Sequence, residues 1–581
     1  MAVRLEWDGK PTQVERFTLP FQTVETINES RATRERDSGA LFGGAAAEAH
    51  ARNLLVWGDN KLVVSSLLAE YAGQVKLIYI DPPFATGDDF SVRLQVGDAD
   101  VVKEPSILEE HAYRDTWGAG HDSYLSVMYE RLVLMRDLLA DDGSIYVHCD
   151  WRVNSYLRLV LDEIFGAENF RNEVIWWYRK WSKSTRHFLR NHDVLLFYSK
   201  SSAPTFNVLR VPLAASTLKR FGGKRQDFAD EARTRKIVTD EESEGGFRPD
   251  VWDHNAIPAH SAERLNYPTQ KPLALLETVI EASTNPGDLV ADFFVGSGTT
   301  VAAAEKLGRR WIGCDLGRFA IHTTRKRLLA IPDCQPFDIK NLGAYERQRW
   351  QVETGNGALQ AYLDTILAFY RADPVEGFAH LHGRKAGRMV HVGATDAPVT
   401  IDETEDVMDE MADNGIEACD LLGWEWEMGL HDTITERARR RGLDVRPRQI
   451  PREVMERQVA EADAVRFFEL AHVDLDVRRQ GHEACVVLKD FTIPSEELIP
   501  PKVRERVESW SDFIDYWSVD YDFTDDVFHN QWQAYRTREN PALATQSDWH
   551  EYPGPGRYSI VIKIIDIFGN DTTKLAEVRI K

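Results

Sequence analysis

Short apolar runs alternate with periodic, charged stretches along residues 50–330. The run at 54–57 (LLVW) stops at Gly58-Asp59-Asn60. The run at 75–80 (VKLIYI) stops at Asp81-Pro82-Pro83-Phe84, and 144–148 (SIYVH) follows the turn Asp141-Asp142-Gly143. Runs of this length, β-branched and closed by turn residues, predict buried strands. Between them lie helical periods at 61–71, with Leu62, Ser65, Leu68 and Ala69 on one side, at 122–139 and at 153–165. The rhythm returns with a helix over 271–282, a strand over 288–294 (DLVADFF) and a helix over 299–307 opened by Gly296-Ser297-Gly298. A strand over 310–314 then ends at Asp315, and a helix covers 319–329. Strands alternating with helices predict an α/β domain with a mostly parallel sheet.

The chain has 581 residues, enough for three or four domains of roughly 100–200 residues each. Residues 1–50 read as a poorly patterned lead-in. The α/β rhythm splits into a first part at 51–170 and a second at 261–335. Residues 171–260 interrupt it with basic and aromatic sequence (Trp176-Trp177-Tyr178-Arg179-Lys180-Trp181) and read as an insertion. Residues 345–475 are acidic and mixed, an accessory α/β domain. Residues 480–581 alternate apolar and polar positions between Gly and Asn-Asp turns, which predicts a small β-sandwich.

Composition adds exclusions. No apolar run approaches the roughly 20 residues that span a bilayer, and the first residues lack a basic stretch followed by an apolar one, so no signal peptide is expected. The five cysteines lie far apart without a CxxC pair, so neither a zinc site nor a disulfide framework is indicated, and a reducing cytoplasm fits. The net charge of −23 conceals an asymmetry: residues 171–236 hold 15 Lys+Arg against 5 Asp+Glu, a net of +10. A local basic patch is a footprint for duplex phosphates, because charge attraction is local at physiological salt; a solvated basic surface is the plainer alternative. Arg179, Lys180, Lys183, Arg186, Lys219, Arg220, Lys224 and Arg225 are the candidate contacts.

The chemistry concentrates at two places. Asp292-Phe293-Phe294-Val295-Gly296-Ser297-Gly298-Thr299-Thr300 takes a buried strand through a glycine turn into a helix. Such a turn lets backbone approach a ligand, and the helix start offers unpaired N–H groups. Asp315, at the next strand end, can accept from ribose hydroxyls. No GK[ST] follows the glycines, so a triphosphate loop is not indicated. The second place is Asp81-Pro82-Pro83-Phe84, at a sheet mouth where α/β folds bind ligands. The prolines stiffen the loop and remove two donors. A carboxylate beside a free carbonyl can accept both hydrogens of an exocyclic amine, and Phe84 offers a face to a planar base. The bland alternative is a proline-rich turn with an incidental acid. His148 and Cys149 end a buried strand and read as packing.

LIYIDPPF resembles motif IV of the amino-methylating DNA methyltransferases. DFFVGSGTT with WIGCD resembles their motifs I and II, Asn266-Tyr267-Pro268-Thr269-Gln270-Lys271-Pro272 their motif X, and Trp57-Gly58-Asp59-Asn60 their motif III. The order, catalytic motif before cofactor motifs, is similar to the permuted β class that includes type III restriction-modification Mod subunits. The resemblance covers about residues 50–330. It implies a permuted Rossmann-like methyltransferase fold with an inserted target recognition domain at 171–260, using S-adenosylmethionine (SAM). By it, Asp81 and the Pro82 carbonyl take the target amine, Pro83 shapes the loop and Phe84 stacks on a flipped base. Asp292, Phe294, Gly296, Gly298, Thr299 and Thr300 form the methionine-side loop. Thr269, Gln270 and Lys271 lie near the SAM carboxylate, Asp315 takes the ribose, and Asp59 with Asn60 lies near the adenine. Asp at 81, where N4-cytosine enzymes often carry Ser, favours adenine N6. Phe84 stands for the commoner Tyr, and Asp315 for a commoner Glu. A sulfonium methyl is already activated, so no metal is required. Double-stranded DNA, a helicase or nuclease subunit of a restriction or phage-defence system, and a second copy of the chain are the implied partners. N4-cytosine methylation, a catalytically silent DNA-binding subunit, and methylation of RNA or a protein amide remain alternatives. The stretches Leu421-Leu422-Gly423-Trp424-Glu425 and Asp566-Ile567-Phe568-Gly569-Asn570-Asp571 are similar to segments of long type III-like adenine methylases, and 553–558 resembles a PKD-type sandwich.

Overall fold

The computed structural model of the chain describes residues 3–28, 52–83, 92–96, 99–103, 121–179, 186–228, 236–258, 260–265, 267–345, 347–348, 359–427, 430–455, 465, 467–494, 499, 501–524, 527–536 and 542–581. Its largest sheet takes ten strands from the first 341 residues. They are β1 (Gln22–Ile27), β2 (Asn53–Trp57), β3 (Val75–Ile80), β4 (Leu139–Cys149), β5 (Phe170–Trp177), β6 (His192–Ser199), β7 (Val251–Trp252), β8 (Leu289–Asp292), β9 (Arg310–Asp315) and β10 (Phe337–Asn341). The order across the sheet is β7-β5-β6-β4-β3-β8-β9-β2-β10-β1, and Phe528–Asn530 from the far end of the chain adds an edge beside β1. The central six, β4-β3-β8-β9-β2-β10, run parallel.

Side-chain alternation on these strands explains the layers. Leu54, Val56, Ile78 and Ile80 face α1 (Asn60–Tyr71), α2 (His121–Leu138) and α3 (Asn154–Phe165). Leu55, Leu77, Tyr79 and Val290 face α4 (Leu273–Ser283), α5 (Thr299–Lys306) and α6 (Arg318–Leu329). A parallel sheet covered on both faces needs apolar residues at every position, which is why its strands read as unbroken apolar runs.

The expected α/β rhythm is present, with adjusted limits. The strand expected over 288–294 ends at Asp292, because the chain turns there into the glycine loop. The turn expected at 141–143 is an irregularity inside β4, where pairing with β3 jumps from Leu139 to Ser144. The lead-in contributes β1, antiparallel to β10. Of residues 171–260, β5, β6 and β7 belong to the main sheet, and between β6 and β7 lie a short helix (Ala215–Phe221) and an antiparallel pair of strands, Lys224–Phe228 with Lys236–Glu242.

Residues 359–470 build a six-stranded sheet whose middle strands, Arg388–Val392, Ala418–Gly423 and Asp444–Gln449, are parallel. Residues 472–581 form two antiparallel sheets around one core that includes Val486, Trp517 and Ile562, a β-sandwich. The sandwich is joined to the main domain through α6. Lys326 pairs with Asp515 at 2.9 Å, Arg318 with Asp571 at 2.8 Å, and His322 bonds the Tyr516 hydroxyl at 2.9 Å. Arg325 Nε donates to Glu25 at 3.2 Å and Lys563 lies 3.5 Å from the same carboxylate, all three buried. Burial alone would raise the Glu25 carboxyl; the two cations outweigh it and hold it below its ordinary value. Among the described residues no helix is long and apolar enough to cross a membrane.

Candidate active site

β3 and β8 are neighbours, with Leu77 opposite Val290 and Ile78 opposite Ala291. Both strands point the same way, so the loop that follows β3, beginning at Asp81, and the loop that follows β8, beginning at Phe293, leave the sheet side by side. The helix after β3 leads away to β4, and the helix after β8 leads the other way to β9. That divergence opens a crevice at the carboxyl ends of the strands, the place where open α/β sheets bind ligands. The two segments that carry the candidate chemistry, 208 residues apart between Asp81 and Leu289, are brought together here.

Lys271 bridges them, its side chain on Asp81 and its carbonyl accepting from Thr299 Oγ1 at 3.2 Å. It precedes α4, is 8% exposed, and its Nζ donates to Asp81 Oδ2 and, at 3.2 Å, to the Thr269 carbonyl. Thr269 has a φ of +63°, an uncommon conformation for a β-branched residue. The sequence placed Lys271 beside a cofactor carboxylate; the structure places its ammonium on Asp81. Gln270 is used to shape its own loop, accepting from Leu265 N at 2.8 Å and donating to the Glu263 carbonyl at 2.7 Å.

The glycine loop is held from behind. Gly296 and Gly298 have φ values of +49° and +75°. Asp315 accepts from Gly296 N at 2.9 Å and from Gly317 N at 2.8 Å. Thr324 of α6 donates to the Gly296 carbonyl at 3.1 Å, and Arg327 donates to Thr299 Oγ1 at 2.7 Å. Asp292 is 2% exposed and accepts from Phe294 N at 3.0 Å and from Thr300 Oγ1. Burial pushes its carboxyl up to about 7, against the opposing effect of those two bonds. Asp292, Thr299 and Thr300 thus serve the loop's shape. Thr299 and Thr300 are also buried, at 5% and 2% exposure.

At the end of β2, Asp59 caps α1, accepting from Lys61 N at 2.7 Å. Its other oxygen takes Arg131 at 3.0 Å. Asn60 donates to the Phe293 carbonyl at 2.9 Å and receives the Arg131 Nε, tying α1 and α2 to the glycine loop. Phe84, Lys180 and Lys183 lie outside the described residues. Pro82 and Pro83 follow Asp81 at the crevice. Arg179, Arg186, Lys219, Arg220 and Arg225 are exposed and Lys224 half-buried, and Arg225 pairs with Glu241 at 3.2 Å.

Sequence reasoning missed several residues here. Arg131, Thr324 and Arg327 reach partners 72, 28 and 28 positions away, with no local motif. A second group lies behind Asp81: the Tyr79 hydroxyl bonds His148 Nδ1 at 2.7 Å, and His148 Nε2 is 3.5 Å from Asp193. Burial raises the Asp193 carboxyl, but His148 and then Lys271 outweigh it and leave it below its ordinary value. Cys149 is buried in the core, and His148 beside it, expected only to pack, is buried and hydrogen-bonded.

Residues 75–326 match the N6/N4 family model described as DNA methylase. The chain is 33% identical over 332 residues to the type II methyltransferase M.EcaI of Enterobacter cloacae, covering 47% of this chain and 69% of that one. The chain belongs to the N6/N4 DNA methylase family. The methylase is also 27% identical over 208 residues to the type III restriction-modification enzyme EcoP15I Mod subunit of Escherichia coli, covering 34% of this chain and 30% of the relative. Among solved structures, the M1.HpyAVI–SAM complex aligns with 47% of this chain and 100% of its own, at 20% identity and a TM-score of 0.30. The family match ends at residue 326, so the accessory unit and the sandwich lie beyond it.

Proposed function

We propose that this methylase is a site-specific DNA methyltransferase that moves a methyl group from SAM to adenine N6 in duplex DNA, within a restriction-modification or phage-defence system. The observation that carries the reading is the shared mouth of β3 and β8, with Asp81-Pro82 on one side, the glycine loop on the other and Lys271 between. The donor set fits SAM. Lys271 is a cation for an amino-acid carboxylate, Asp315 an acid for ribose hydroxyls, and Gly296 and Gly298 keep side chains out of the loop between them. When bound, SAM supplies a methyl already activated on a sulfonium.

The chain's own residues do the rest. Asp81 holds Lys271 on Oδ2, and a carboxylate accepts at both oxygens, so Oδ1 can receive one amine hydrogen while the Pro82 carbonyl receives the other. Two acceptors on one NH2 select for an amine and aim its lone pair toward the glycine loop. Holding the reacting atoms in line supplies much of the rate in such transfers. A paired base cannot enter the crevice, so the target base leaves the helix, at a cost of a few kcal/mol. Asp81, in place of the serine frequent in N4-cytosine members, favours adenine.

The test is direct. Plasmid DNA incubated with the protein and SAM is digested to nucleosides and analysed by mass spectrometry. N6-methyladenine is expected, and absent from an Asp81→Ala reaction. N4-methylcytosine in its place would reassign the base, and no methylated nucleoside at all would overturn the function.

A further inference from the structure

Phe188 is 97% exposed, more than any other large apolar side chain among the described residues, and Leu189 beside it is 44% exposed. Leaving a phenylalanine in water forgoes roughly 1.5–3 kcal/mol of burial. Its sequence surroundings are one-sided: between Glu173 and Asp193 there is no acid, while Arg179, Lys180, Lys183, Arg186 and Arg190 are all basic.

Position gives this exposure meaning. Phe188 lies on the connection between β5 and β6, whose neck is closed by Tyr178 N donating to the Asn191 carbonyl at 2.9 Å. β6 pairs with β4, with Cys149 opposite Val194, and β4 pairs with β3, with Val147 opposite Ile80. The connection therefore leaves the sheet at the same end as Asp81, two strands away, about 10 Å across at the usual strand spacing. Arg190 lies over the Trp151 ring at 3.7 Å, and Trp151 follows the end of β4. That contact fixes the base of the connection to the catalytic edge.

We propose that Phe188, backed by Leu189, is the wedge that enters the DNA stack when the target base leaves it, with Arg186 and Arg190 on the flanking phosphates. The inference rests on the methyltransferase reading above. Apolar side chains set among cations are the usual means of parting a base step, since the phosphates hold the duplex while the wedge replaces lost stacking. A wedge at this edge stands beside the crevice that receives the base.

The experiment uses the full chain on synthetic duplexes carrying the methylated site, itself read by sequencing DNA from expressing cells. One duplex is fully paired; in the other the target base faces an abasic position and is already unpaired. Phe188→Ala is expected to lose about tenfold or more in kcat/KM on the paired duplex, and to stay within about threefold of wild type on the abasic one. Phe188→Trp is expected to retain activity on both. Equal activity of Phe188→Ala and wild type on the paired duplex overturns the wedge, and so does an equal loss on both duplexes, which would mark a merely structural role. Wild-type protein that methylates neither duplex overturns the methyltransferase reading itself, and the wedge with it.

Discussion

Gly298→Ala puts the smallest possible side chain into the glycine loop. A Cβ there would sit 2.7 Å from Thr324 Oγ1, 2.8 Å from its Cγ2 and 3.0 Å from its Cα. Carbon contacts are comfortable at about 3.5–4.0 Å. Thr324 is fully buried and its hydroxyl is engaged with the Gly296 carbonyl at 3.1 Å, so turning the side chain away breaks the bond that shapes the same loop. The Cα is backbone, so relief also requires α6 to shift, and α6 is held by the C-terminal sandwich. Overpacking of this kind costs about 1–3 kcal/mol. A non-glycine residue at the observed φ of +75° adds about 1–2 kcal/mol. The sum, about 2–5 kcal/mol, is expected as lost stability in urea unfolding. Because the strain falls on the loop proposed to hold SAM, calorimetry is expected to show weaker SAM binding as well. Adding Thr324→Ala should restore part of the stability and not all, since the backbone contact and the φ remain. A Gly298→Ala protein with wild-type unfolding midpoint and wild-type SAM affinity would refute this reasoning.

Three further outcomes follow from the same contacts. Asp292→Asn should flatten the pH dependence of stability: with its carboxyl raised from 3.8 to about 7, the folded state binds the extra proton between those values. Asp292's contribution to wild-type stability therefore falls as pH rises from about 4 to 7, by about 4 kcal/mol at most, so the difference in stability between wild type and variant, read from urea unfolding, should shift by up to that amount across the range. Glu25→Gln leaves Arg325 and Lys563 buried without a charge between them and should cost about 3–5 kcal/mol in urea unfolding near neutral pH. Because the Glu25 carboxyl is lowered in the fold, its contribution is present above its unfolded value, and the gap to the variant should close as pH falls through the folded one. Lys271→Met should raise KM for SAM tenfold or more, about 1.4 kcal/mol, by removing a cation placed at the crevice mouth; an unchanged KM would remove Lys271 from the cofactor site.

The sequence was most readable where each residue's partner lies nearby in the chain. Leu54, Leu55 and Val56 announce a strand by themselves, and Gly296 and Gly298 announce a turn that only glycine makes easily. It was least readable where pairing is distant. β1 (QTVETI) looks like part of a polar lead-in, because what makes it a strand is β10, with Thr26 opposite Asp338. β5 and β6 were hidden by basic and aromatic surroundings, although their alternation carries the information. Trp176 points inward and donates to the His254 carbonyl at 2.8 Å, while Trp177 is 41% exposed. A strand's period of two sends these neighbours to opposite faces, which a run of aromatics conceals. Charges were hardest: the Asp81–Lys271, Asp59–Arg131 and Glu25–Arg325 pairs join residues 190, 72 and 300 positions apart. Composition assigns no partners, so none of these three pairs is legible in the sequence.

The central claim is that the Asp81-Pro82 edge and the glycine loop hold acceptor amine and methyl donor face to face. A crystal structure of the protein with a duplex containing its site and a non-reactive SAM analogue tests this most directly. The expected result is a flipped adenine whose amino nitrogen lies within hydrogen-bonding distance of both the Asp81 carboxylate and the Pro82 carbonyl, with the analogue's sulfonium position in line beyond it, against Phe294–Thr300. An analogue seated away from that loop, or a target amine contacting neither Asp81 nor Pro82, would contradict it.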